Sequence, residues 1–156
     1  MRFAIIISLL GIPTSTFAQS AIIDHLNQSF ENACGFVSDY NSPIPDINLE
    51  DAFSYLTLGD EEEITATVFN PMLAKCGDKD AQLCGTRGCE IIIEVKQKLY
   101  QFTGWAPTTI KVNGEAMLLV PHSGWMCDDA LPNSAPCYTI ATWDEFAQRL
   151  NYTSYR

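Results

Sequence analysis

Positive charge is scarce in this chain: nine Lys and Arg stand against nineteen Asp and Glu, with two His, for a formal charge of −10. A surface this acidic repels phosphate backbones and anionic headgroups, which argues against nucleic acid and membrane surfaces as partners. A zinc centre needs four well-placed ligands, and His25 and His122 are the only imidazoles. No apolar run reaches the roughly 20 residues that span a bilayer. There is no repeat, low-complexity tract or interdomain linker, and neither a Gly-x-Ser-x-Gly elbow nor a Cys-x-x-Cys redox pair. Nothing in the residues asks for a cofactor or a resident metal.

What is present starts at the N-terminus. Met1-Arg2-Phe3 gives one positive charge, Ala4 to Ile12 is apolar, and Thr16-Phe17-Ala18 is a small-x-small cleavage site before Gln19. That is the pattern of a secretory signal peptide over residues 1–18. No cysteine follows the cleavage point to carry a lipid, so a soluble exported protein, residues 19–156, is expected. Its length suits one domain. Removing Arg2 leaves eight Lys and Arg against nineteen Asp and Glu, a charge of −11. Such a field steers basic partners inward at a rate that falls with salt.

All six cysteines (Cys34, Cys76, Cys84, Cys89, Cys127 and Cys137) lie beyond residue 18. In an oxidising compartment they read as up to three disulfides. Sequence does not choose among the pairings. Cys127 and Cys137 flank a run of turn formers, Asp128 to Pro136, and are the best single pair. Cys34 is expected to bridge to one of the middle cysteines.

Ser20 can cap a helix whose stripe is Ile22, Ile23, Leu26 and Phe30, stopped by Gly35. Residues 41–45 read as a loop, and a second short helix is expected within 46–56, around Leu49, Ala52, Phe53 and Leu56. Alternation from Ile64 to Phe69 predicts a strand ending at Asn70-Pro71, and alternation from Ile91 to Val95 predicts another, with Tyr100 and Phe102 on a continuation. Asn113-Gly114 favours a two-residue type I′ turn, pairing Val112 with Glu115 and Ile110 with Met117. Ile110, Val112, Met117 and Leu119 then share a face. Thr142 and Glu145 fit a capping box before Trp143, Phe146, Ala147 and Leu150, which predicts a final helix. The expected fold class is therefore α+β: an antiparallel sheet of four or five strands between N-terminal and C-terminal helices, stapled by disulfides.

Several stretches are candidate sites. Cys84-Gly85-Thr86-Arg87-Gly88-Cys89 reads as a structural knuckle, since redox exchangers place two residues between their cysteines and here there are four. His122-Ser123, with Asp128 and Asp129 nearby, holds hydrolase residue types, but adjacent side chains rarely aim at one another. Asp60-Glu61-Glu62-Glu63 could attract calcium, yet consecutive carboxylates diverge, so a solvated acidic run available to a partner is the simpler reading. Trp125 and Trp143 read as core. Trp105, on an expected loop, is the aromatic best placed for a partner, and the Tyr-bearing tail 151–156 is a further aromatic contact. Asn27-Gln28-Ser29 and Asn151-Tyr152-Thr153 match glycosylation acceptors.

From about Ile64 to Leu150 the chain resembles a family of small exported proteins of Gram-negative bacteria with a Cys-Gly-Thr-x-Gly-Cys turn. The matching elements are Cys76, the turn Cys84 to Cys89, the strand Ile91 to Val95, the late cysteines Cys127 and Cys137, and Trp143. The resemblance implies an export-adapted fold in a bacterial periplasm and supplies no activity. A bacterial origin, which the resemblance implies, argues against glycosylation at the two Asn motifs. Some members carry an alternating Asp/Asn-Gly calcium-type loop before the first strand, where this chain has Leu58-Gly59-Asp60-Glu61-Glu62-Glu63. Two functions are expected. The first is an exported protein-binding factor, of the inhibitor or immunity type, acting on a basic partner. The alternative is a periplasmic enzyme, either a hydrolase using His122 or a thiol-disulfide protein using Cys84 and Cys89.

Overall fold

Alternation of apolar residues, not the helical stripe, governs most of this chain. A computed structural model describes residues 21–26, 30, 33–34, 47–59, 64–128 and 130–155. Among these described residues are twelve strands: β1 (Ile47–Asn48), β2 (Phe53–Leu58), β3 (Ile64–Phe69), β4 (Lys75–Cys76), β5 (Lys79–Asp80), β6 (Cys84–Gly85), β7 (Gly88–Val95), β8 (Lys98–Gly104), β9 (Thr108–Val112), β10 (Glu115–His122), β11 (Cys137–Asp144) and β12 (Arg149–Tyr155). All pairings are antiparallel.

The strands form three sheets. In the first, β2, β3, β7 and β8 lie side by side, and the short β6 follows β3 along the same edge of β7. The second runs β12-β11-β10-β9, and the third is the small set β1-β4-β5. Two backbone contacts lock the first two sheets together. Gly59, just past β2, exchanges both hydrogen bonds with Ala116 of β10, at 2.9 and 3.0 Å. Past the end of β8, the Trp105 amide donates to the Pro121 carbonyl at 2.9 Å. The chain then continues into β9, so it leaves one sheet and joins the other within four residues.

This arrangement overturns the expected α+β class. Strands make up 57 % of the described residues, far above the usual 20–25 % or so of a globular domain. Among the described residues helix is confined to a short stretch, 21–26, with 30 and 33–34 also helical. Where a second helix was expected within 46–56, the described residues from 47 onward form β1, a 3-10 turn over Glu50–Ala52, and β2.

The C-terminal helix is replaced by the β11–β12 hairpin. Its register puts Trp143 opposite Leu150, so two residues seven apart meet across strands as they would on a helix face. Thr139, Ala141 and Trp143 alternate inward, a period of two that a helix could not bury. Asp144, not Thr142, closes the turn: its Oδ1 accepts from the Ala147 amide at 2.8 Å and its Oδ2 from the Asn151 side chain at 3.0 Å. Those two bonds, the amide first, hold its carboxyl below the ordinary range. The support that this carboxylate gives the hairpin is therefore complete above about pH 4 and lost as pH falls below that value. Trp143 fluorescence should report an acid transition in the hairpin, and Asp144→Asn should flatten it.

Two cores result. Between the large sheets lie Leu58, Ile64, Ala66, Val68, Ile91, Ile93, Val95, Leu118, Val120, Ala141 and Trp143. On the outer face of the first sheet a second cluster joins Ile92 and Phe69 to Ile22, Leu26, Phe30, Cys34 and Cys76. That is why Ile91, Ile92 and Ile93 are all buried: β7 is covered on both faces, and a strand so placed reads as a continuous apolar run. Asn113-Gly114 gives the expected register, Val112 with Glu115 and Ile110 with Met117, with both turn residues at positive φ. The shared face of these residues is the outer one, however. Ala116, Leu118 and Val120 point into the core.

Candidate functional site

The six cysteines form three disulfides: Cys34–Cys76, Cys84–Cys89 and Cys127–Cys137. Cys84 and Cys89 face each other directly across β6 and β7, so their bridge clamps the short hairpin whose tip is Thr86-Arg87. Cys89 is buried and Cys84 half-buried. In this state neither sulfur is a thiolate, the form that attacks disulfides.

That hairpin meets the segment after β10. The Arg87 guanidinium stacks on the Trp125 ring, 4.6 Å from its centroid, and the buried Ser123 hydroxyl donates to the Arg87 carbonyl at 3.5 Å. Trp125 sits in a 3-10 turn, Gly124–Met126, that leads straight into the Cys127–Cys137 bridge. Two disulfide-closed loops thus hold one Arg–Trp pair. Nothing in the linear sequence signals this pairing, because 38 positions separate its members.

His122 is fully committed to the scaffold. Its Nδ1 donates to the Thr103 carbonyl of β8, which can only accept. Nε2 bonds the Thr139 hydroxyl of β11 at 2.7 Å, and Thr139 is in turn 2.9 Å from the Ser154 hydroxyl of β12. One imidazole therefore ties four strands together. Ser123 is turned away toward Arg87, so the neighbouring Ser and His do not form a nucleophile–base pair. Substituting His122 by Ala should lower stability by about 1–3 kcal/mol through the unpaired groups it leaves, read as a shifted urea midpoint with an unchanged slope.

The other candidates scatter. Trp105 is half-buried and packs against the main core, which removes much of its ring from any partner. Trp143 is core, and its Nε1 has no acceptor among the described residues. Asp60, Glu61, Glu62, Glu63 and Asp129 lie outside the described residues; the acidic run joins β2 to β3. Asn27 to Ser29 lies outside them too, while Asn151 is exposed on β12. Among the described residues no three His, Cys, Asp or Glu side chains converge as a metal site, and no helix is long and apolar enough to cross a membrane.

Sequence reasoning missed Phe146. Expected on a buried helix stripe, it is instead fully exposed at the tip of the β11–β12 hairpin, beside the exposed Glu145. The turn beneath it is fixed by the Asp144 bonds, by Gln148 Nε2 to the Glu145 carbonyl at 2.6 Å, and by Lys98 Nζ to the Gln148 carbonyl at 2.6 Å. A turn so hydrogen-bonded therefore presents an aromatic ring to solvent. Compared with known protein families, curated proteins and solved structures, the chain matches none.

Proposed function

We propose that this chain is an exported, periplasmic or secreted, protein-binding factor of the inhibitor or immunity type that acts on a basic protein. The single observation that carries the reading is the Phe146 tip: a fully exposed aromatic on an ordered turn of a disulfide-stapled β scaffold. The charge of −11 expected for residues 19–156 supports a basic partner, because a strongly negative surface speeds encounter with a positive one. The signal-like N-terminus and the resemblance to exported Gram-negative proteins support the location. The acidic run Asp60 to Glu63 and Trp105 are the further contact candidates.

The two enzymatic alternatives draw less from the arrangement. A hydrolase would need a free base where His122 has both ring nitrogens engaged, and an exchanger would need Cys84 and Cys89 reduced.

The test is affinity capture from periplasmic and extracellular extracts with the oxidised protein as bait, at low and high salt, with mass spectrometry of what is retained. A stoichiometric basic partner whose association slows steeply with salt is expected. Retention of nothing under either condition, or a partner indifferent to salt, would overturn the reading. His122→Ala should leave the capture intact, whereas it would abolish a hydrolase.

A further inference from the structure

We infer that β12 is the docking edge for a second copy of this chain, joined antiparallel across a two-fold axis at Thr153. Every residue from Arg149 to Tyr155 is in register with β11, and Leu150's amide points away from that strand, to the Tyr100 hydroxyl at 3.1 Å. In an antiparallel strand, backbone groups alternate between the two edges. Leu150 therefore marks the even-numbered residues as pointing away from β11. By that alternation the amides of Tyr152 and Ser154 point to the outer edge of β12, and both residues are exposed.

The edge carries none of the usual protection. From Leu150 to Tyr155 there is no Lys, Pro or carboxylate, and the pairing with β11 runs without a bulge from Tyr138 opposite Tyr155 to Asp144 opposite Arg149. A flat uncharged edge of this kind templates another strand. The other edges of the large sheets are handled differently. The ends of β2 and β8 are bonded to β10 through Gly59 and Trp105, and β9 has Lys111 near its middle.

Charge selects the occupant. In a chain with nineteen carboxylates, the stretch from Arg149 to Tyr155 has none, so two copies can approach here without opposing their acidic surfaces. The free groups also select the register. Tyr152 of one copy opposite Ser154 of the other, and the reverse, uses the amides and carbonyls of both residues in both chains, four hydrogen bonds in all. Thr153 then meets its own counterpart at the axis, a favourable cross-strand pair. Leu150 stays with Tyr100, whose hydroxyl ends the augmentation on that side.

Sedimentation equilibrium of the purified disulfide-bonded protein tests this, over about 5 to 500 µM, where contacts of this small class associate. The mass should rise from one chain toward two. Amide exchange should show Tyr152 and Ser154 open when dilute and slowed when concentrated, while Leu150 is slowed in both. Tyr152→Pro removes an amide that β11 does not use but also the ring packed edge-on against Phe102, 5.5 Å between centroids, so Tyr152→Ala, which loses the ring alone, is its control: dimerisation should be lost in the first and kept in the second. Thr153→Lys, at an exposed position, opposes two like charges at the axis and should weaken association at least tenfold. A protein that is monomeric across the range, or one that dimerises equally well with Tyr152→Pro and with Thr153→Lys, would overturn the proposal.

Discussion

Gly104→Ala should lower stability by about 3 kcal/mol or more, with Tm falling by roughly 10 °C. A methyl at this position would stand 2.3 Å from the Pro121 carbonyl oxygen, 2.9 Å from His122 Nδ1 and 3.3 Å from a Val120 methyl. The first of these is backbone and cannot rotate away. It is also the carbonyl that receives the Trp105 amide, so yielding to the methyl would pull apart the contact that carries the chain from β8 to β9. Gly88 crowds the same spot, since a Cβ there would lie 2.8 Å from the Gly104 carbonyl oxygen. Gly85→Ala is the control: nothing lies within 4 Å of its added carbon, and its cost should stay within about 0.5 kcal/mol. Equal effects of the two substitutions in thermal melts would refute the account of the sheet crossing.

The second large effect is expected from opening Cys34–Cys76 with paired alanine substitutions. The residues are 42 apart in sequence, and chain entropy assigns such a closure about 4 kcal/mol, against about 2 for the 5-residue separation of Cys84–Cys89 and about 3 for the 10-residue separation of Cys127–Cys137. Cys34 and Cys76 also belong to the cluster that covers Ile92 and Phe69, so their loss frees the cover as well as the chain. Urea titrations of the three double-alanine proteins should show the largest loss for Cys34–Cys76, then Cys127–Cys137, then Cys84–Cys89. A Cys34–Cys76 variant no weaker than the others would show that the outer layer holds without its staple.

The sequence was legible wherever a local rule had one solution. Asn113-Gly114 admits few turns, and the register it dictates is the one observed. The alternation of Ile64 to Phe69 reads correctly as β3. The C-terminal segment was illegible because Trp143, Phe146, Ala147 and Leu150 satisfy a helix face while Trp143 and Leu150 equally satisfy a hairpin of this length. Only the burial of Thr139 and Ala141 with Trp143 separates the two, and that depends on the sheet being there to receive them. Around Ala52 a 3-10 turn between strands imitated a helix by keeping one turn of its spacing. The site was less legible than the fold. Arg87 meets Trp125, and His122 meets Thr103 and Thr139, through strand pairings that no spacing rule encodes. Phe146 escaped notice because an apolar residue in an apolar pattern is read inward by default.

The passage of the chain from β8 into β9 has a consequence for resistance to proteases. A protease cleaves a segment only when it can draw out a length of extended backbone, and most folds offer that by letting one layer open while the rest stays shut. Here the chain passes directly from β8 of one large sheet into β9 of the other on one side, where the Trp105 amide is bonded to Pro121, and a paired Gly59–Ala116 contact joins the sheets on the other. Neither can peel back alone, so susceptibility to digestion should follow the global unfolding equilibrium, and intact protein should leave the digest as a single species without trimmed intermediates.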